Sequence, residues 1–352
     1  MPKGLGASVM VLLAAFGSIA LGMAHGEGMT RPQITAQEIV NGVIAAAEQD
    51  WLDDATRGTV VNKLKEAASR KAYDAIVDPE ALCARITTDV RAWSHDPHFA
   101  VFYSPTPVRQ HDRDQATPAE QAEEQKRAAD DNYGFARVER LDGNVGYLDL
   151  RFFADSDGAA TAFAAMALVG HTDALIVDLR QNGGGGDTGV AAVLLSHLLP
   201  GAATRLSDIH WKPDGSVRPF WTLPSVPGGK YLGPVYVLMS RETFSAAEGF
   251  AYTLQTRKRA VLVGEKTLGG VHPVKYRPLG THVGVLIPAG RYVDALTGAD
   301  WTGGVEPDVA VPAAQALTRA HMLALQKLIA EEPATPLTEE RRDTLRKLQT
   351  VK

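Results

Sequence analysis

The feature that most constrains the fold is a series of short, uninterrupted apolar runs. VGYLDLRFF (145–153), ALIVDLR (174–180), PVYVLMS (234–240) and AVLVG (260–264) follow one another through the second half of the chain. Between them lie segments of helical composition at 157–169, 188–199 and 245–257. A strand apolar on both faces must be covered on both, and strands separated by helices pair in parallel. Residues 133–313 therefore read as an α/β domain around a mainly parallel sheet. HVGVLIPAGRYV (282–293) has no such helix and reads as an antiparallel addition or hairpin.

The flanks differ in kind. Residues 30–104 read as a helical subdomain, with Ile39, Val40, Val43, Ile44 and Ala47 on one 3.6-period face. A later helix is capped by Asp78, with Pro79 at its first position. Residues 105–132 are rich in proline and charge and poor in large apolar side chains, the composition of a solvated linker. Residues 314–352 return to helix as a C-terminal tail. At the other end, Lys3 precedes an uncharged apolar run at 7–22, with Gly22 and Ala24 placed as a cleavage site. This predicts a signal peptide over 1–24 and an exported protein, periplasmic or secreted; an uncleaved anchor is the rival reading. No later stretch is apolar enough to cross a membrane, so no stable membrane insertion is expected after cleavage. Lys plus Arg number 36 against 41 Asp plus Glu, a net charge of −5 that argues against a nucleic-acid partner. A single cysteine, Cys83, excludes an internal disulfide and a cysteine-rich metal site.

Five segments could carry chemistry. DLRQNGGGGD (178–187) places four glycines after a buried strand, where open α/β sheets bind ligands; it is a glycine turn or an anion cradle. Glu242-Thr-Phe-Ser245-Ala-Ala-Glu248 puts a serine at the start of a helix, where backbone N–H groups are free to form an oxyanion hole. Ser-x-x-Glu is equally a capping box. Ser94-His95-Asp96-Pro97-His98 offers metal ligands, a general base with its orienting acid, or surface residues. Other metal ligands are not evident, and no metal is expected. GEKTLGGVHP (264–273) and GVEPD (304–308) read as turns at sheet edges.

Taken together and in this order, the segments resemble peptidase family S41: the C-terminal processing proteases, the tricorn core and the interphotoreceptor retinoid-binding protein modules. The carriers are DPHF (96–99), NYGFARVERLDGNVGYLDLRFF (132–153), DLRQNGGGG (178–186), TFSAAE (243–248), GEKTLGG (264–270) and GGVEPD (303–308). The resemblance implies a crotonase-like α/β sandwich behind a helical N-terminal subdomain. It makes Ser245 the nucleophile, with the Ala246 N–H and a glycine of the pair Gly184 and Gly185 forming the oxyanion hole. Two departures stand out. The lysine of the processing proteases' Ser–Lys dyad is replaced by Gly270, and 105–132 leaves no room for their PDZ domain. The base then maps to His98, oriented by Glu306 or Glu248, with His272 as a second candidate base. An imidazole base predicts activity rising through an apparent pKa of roughly 6–7. The implied activity is an exported serine peptidase acting on peptides or unfolded chains without a cofactor; a non-enzymatic carrier of retinoid- or lipid-like ligands is the alternative.

Overall fold

A computed structural model describes residues 34–110, 116–186, 189–331 and 334–350. The signal-peptide expectation for 1–24 lies outside them. The chain opens with three helices: α1 (Ala36–Asp50), α2 (Asp54–Ser69) and α3 (Pro79–Ser94). Each begins at a side-chain cap, from Thr35, Asp53 and Asp78 respectively. Their apolar faces bury Ile39, Val43, Val60, Leu64, Ile86 and Val90 against one another. This core is closed by strands rather than by a fourth helix. β1 (Ala100–Tyr103) and, much later in the chain, β9 (Val274–Pro278) and β10 (Val283–Pro288) form an antiparallel sheet in the order β1-β10-β9. Val101, Val283, Val285 and Ile287 of that sheet are part of the helical core.

The 105–132 segment is not extended throughout: Pro118–Asp130 forms helix α4. Thr117 and Glu120 make a reciprocal capping box, and Pro118 occupies the first turn, which starts a helix even in a polar sequence. No α4 residue is buried.

The second body is a six-stranded sheet ordered β12-β8-β7-β4-β3-β2. Its strands are β2 (Phe135–Leu141), β3 (Val145–Leu150), β4 (Ala174–Asp178), β7 (Val235–Met239), β8 (Ala260–Gly264) and β12 (Val309–Ala310). All neighbours pair in parallel except β2, which pairs antiparallel with β3. The four apolar runs thus supply the centre of the sheet. Period-2 alternation sends Leu148, Leu150, Val177, Val237 and Leu262 to a face covered by α5 (Ala159–Val169), α6 (Val190–Leu198) and α7 (Ala246–Thr256). Tyr147, Ile176, Leu238 and Val263 face α8 (Ala313–Glu331). α9 (Pro336–Thr350) packs on α8, and its buried Arg341 reaches the Gly143 carbonyl and the Asp173 carboxylate.

A third sheet holds β11 (Gly290–Asp294), β5 (Arg205–Trp211) and β6 (Val217–Trp221), all antiparallel. The 282–293 run is therefore not a hairpin. Its halves, β10 and β11, separate at Ala289 into two sheets, and the N–H groups of Ala289 and Gly290 both donate to the Pro273 carbonyl.

Candidate active site

Parallel strands place their carboxyl ends on one edge, and the loops leaving β4 and β7 meet there. The β7–α7 turn is pinned to the β4 exit. Thr243 Oγ1 donates to the Leu179 carbonyl, Ser240 Oγ to the Arg180 carbonyl, and the Phe244 N–H to the Asn182 carbonyl. Ser245 then takes φ 55° and ψ −121°, a left-handed conformation that L-residues rarely adopt, immediately before the first residue of α7. The turn thrusts its side chain out of the strand–helix junction.

The glycine loop packs beneath it. Gly184 and Gly185 have φ of +99° and +134°. A Cβ on Gly184 would stand 2.8 Å from Ser245 Cβ and 3.2 Å from the Ala246 nitrogen, and one on Gly185 would strike the Phe153 carbonyl at 2.1 Å. Both positions require glycine. Asn182, fully buried, holds the loop: its Nδ2 donates to the Leu150 carbonyl and its Oδ1 accepts the Gly184 N–H. The Gly184 amide is thereby committed, whereas those of Gly185 and Ala246 have no acceptor among the described residues. The sequence motif contained Asn182 but offered no reason to separate it from the glycines.

His98 reaches the site from the other body, just after α3. Its Nε2 is 3.0 Å from Ser245 Oγ, its ring lies 4.5 Å from that of Phe244, and it is 5% exposed. Burial pulls its pKa down to about 4; Asp96 opposes this, while His272 and Arg91 reinforce it. The imidazole is thus neutral at pH 7. Its Nδ1 is buried without a hydrogen-bond partner among the described residues.

The two acids expected beside His98 are elsewhere. Glu306 is a solvent-exposed residue whose carboxylate pairs with Lys266 at 2.6 Å. Glu248 is fully buried, and its two oxygens accept from the Ser245, Gly269 and Gly270 N–H groups and the Thr267 hydroxyl, at 2.6–2.8 Å. Burial raises its pKa, against those four hydrogen bonds. Its place is to lash the Ser245 turn to the 267–270 loop. The acid nearest His98 is Asp96, 8% exposed, whose Oδ1 accepts the His98 backbone N–H at 2.9 Å and lies 3.9 Å from His98 Nδ1. The second candidate base, His272, turns its Nδ1 to Asp96 Oδ2 at 2.7 Å rather than to Ser245.

Gly270 explains the missing lysine. A Cβ there would lie 2.2 Å from the Phe244 ring and 2.8 Å from His98 Cε1, so the space a side chain would use is filled by these two rings, Phe244 foremost. Among the described residues no group of three or more His, Cys, Asp or Glu side chains is placed to hold a metal.

The same architecture recurs in known proteins. The structure overlays a CPAF variant (TM-score 0.55, 12% identity, 86% of this chain and 99% of that one) and a lipoprotein from Streptococcus agalactiae (0.53, 13%, 86% and 100%). It also overlays a putative peptidase from Parabacteroides merdae (0.53, 17%, 80% and 90%). At these identities the likeness shows the fold alone. In sequence, 103 residues are 30% identical to the tail-specific protease of Haemophilus influenzae, 28% of this chain but only 13% of that protein's length. Residues 144–311, which carry the glycine loop and Ser245, match the peptidase family S41 profile. Residues 35–132, which carry Asp96 and His98, match the N-terminal domain of peptidase S41 in eukaryotic interphotoreceptor retinoid-binding protein. With both of its bodies matched by profiles of one family, in the family's order, this chain belongs to peptidase family S41.

Proposed function

We propose that the protein is an exported serine peptidase that cleaves peptides or unfolded polypeptides through a Ser245–His98 pair. The observation that carries the reading is the 3.0 Å approach of His98 Nε2 to Ser245 Oγ, between residues 147 positions apart on separate bodies. Neutral His98 accepts the hydroxyl proton as Oγ attacks the scissile carbonyl, then returns it to the leaving amine; water follows the same route in deacylation. The developing oxyanion is held by the free amides of Gly185 and Ala246, with the start of α7 adding its dipole. Gly184 contributes by lacking a Cβ rather than by donating. Asp96 supplies the counter-charge for the imidazolium.

Incubation with a fluorophosphonate followed by peptide mapping tests the reading. The expected result is one adduct on Ser245, absent in Ser245→Ala, together with cleavage of an unfolded polypeptide that both Ser245→Ala and His98→Ala abolish. An unlabelled wild-type protein that binds retinoid or fatty-acid ligands would overturn it in favour of a carrier. Export rests on residues 1–24. Intact-mass measurement should find the exported chain beginning near His25, and full-length protein in the membrane fraction would contradict it.

A further inference from the structure

Asp96 is shared between two histidines. Its Oδ2 accepts the Nδ1 proton of His272 at 2.7 Å, while its Oδ1 accepts the His98 main-chain N–H at 2.9 Å and stands 3.9 Å from His98 Nδ1. The resting carboxylate therefore positions the His98 backbone without bonding its ring. The His272 side chain is about one-third exposed at 32%, whereas those of Asp96 and His98 are 9% and 6% exposed. Of the three, only His272 has ready access to solvent protons.

We infer that His272 is a positioning residue that sets the charge Asp96 presents to His98, so that one buried carboxylate couples the base to a histidine at the surface. The inference rests on the Ser245–His98 reading for its consequence in catalysis, though not for the coupling itself. No proton passes between the histidines. The Nδ1–H of His272 holds Asp96 in both of its protonation states, and what changes is the charge on the ring. With His272 cationic, the Asp96–His272 pair is neutral as a whole, and an imidazolium forming at His98 meets no net opposite charge. With His272 neutral, the full charge of Asp96 faces His98 at short range in a water-poor site, where it favours the imidazolium most.

The surroundings keep His272 chargeable. Burial works against its cation, but the Asp96 hydrogen bond and charge and the nearby Asp300 outweigh both burial and Arg291, and its pKa is raised above the ordinary histidine value. Asp53, ahead of α2, also lies within electrostatic range of His272. On the far side Arg91 of α3 adds to the positive field on His98. The two histidines are thus driven in opposite directions around one acid.

Nitrogen-15 NMR of both imidazoles in the full chain tests the coupling directly. In wild type, the His98 ring resonances should move as His272 titrates above pH 6.5. In His272→Asn, which keeps a donor for Asp96 but cannot charge, His98 should titrate higher by about one pH unit or more. A His98 ring that ignores the titration of His272 in wild type, or titrates unchanged in His272→Asn, overturns the inference. Fluorophosphonate labelling of Ser245 reads the consequence. The wild-type rate should rise with pH in two steps and that of His272→Asn in one. His272→Ala, without a donor, should be slower by roughly tenfold to a hundredfold at every pH, with His272→Asn recovering most of the rate at pH 8. If the NMR coupling is present while wild-type Ser245 is never labelled, the peptidase reading fails and the coupling stands.

Discussion

At Gly270 one absent carbon atom leaves room for two rings, Phe244 and His98. Because a Cβ there meets Phe244 at 2.2 Å and His98 at 2.8 Å, Gly270→Ala should push the imidazole off Ser245. The expected result is a loss of labelling rate of a hundredfold or more, beside an overpacking cost of only about 1–3 kcal/mol in urea denaturation. Glu306→Gln, which breaks only an exposed pair with Lys266, should leave labelling within twofold. His98 also has a thermodynamic signature. Its pKa is about 4 in the folded chain against about 6.5 unfolded, so between those values the unfolded state holds more protons and stability falls as pH falls. This contribution is complete above pH 6.5 and amounts to about 3 kcal/mol lost by pH 4. His272, with a raised pKa, is protonated in both states through most of that window and does not mask the slope. Denaturation at pH 7 and pH 4.5 should show the slope in wild type and a smaller one in His98→Asn. Ser245 and the glycines were legible in the sequence because strand, turn and helix are contiguous there. Asp96 was legible only as one of three readings of the 94–98 segment. Its contact with His272 was not, since it joins residues 176 apart, and an isolated glutamate in a turn has no periodicity to say that Glu306 faces solvent.

At the scale of elements, composition alone misread 105–132, although Thr117-Pro-Ala-Glu120 carries a capping box with proline at the first helical position. α4 buries nothing, and its exposed i,i+4 pairs, Arg127–Glu123 and Lys126–Asp130, each contribute at most about 0.5 kcal/mol. We therefore expect limited proteolysis to cut first within 105–130. The two fragments should co-elute on size exclusion, because β1 remains paired along its length with β10. First cuts inside 145–264 would show that the sheet domain is not the stable unit. The four central strands of the large sheet were legible to within a few residues because burial on both faces leaves an unbroken apolar run, whereas the partly exposed edge strands β2 and β12 have none. The fate of 282–293 was not, since a run that divides between two sheets has the same composition as one that folds back on itself.

Across the whole molecule the proposed Ser245–His98 pair spans two bodies, with His98 following the helical core and Ser245 standing at the edge of the six-stranded sheet. Their register depends on the sheet that closes the helical core. Val285→Ala, in that closure, should lower stability by roughly 1–3 kcal/mol and slow Ser245 labelling as well. Leu325→Ala, packed between α8 and the opposite face of the large sheet, should cost about 2–5 kcal/mol yet leave labelling of the folded protein at 25 °C unchanged. Measuring both properties in both variants separates closure from bulk stability. The order of the strands also has a consequence in time. A chain emerging from the ribosome presents Asp96 and His98 first and Ser245 some 150 residues later, but β1 finds its partner only when residues 283–288 have been made. A nascent or prematurely ended chain that stops short of β10 therefore carries both residues of the proposed pair but lacks the strand with which β1 pairs. On the proposed reading, such a chain should not react with a fluorophosphonate until that strand has been made.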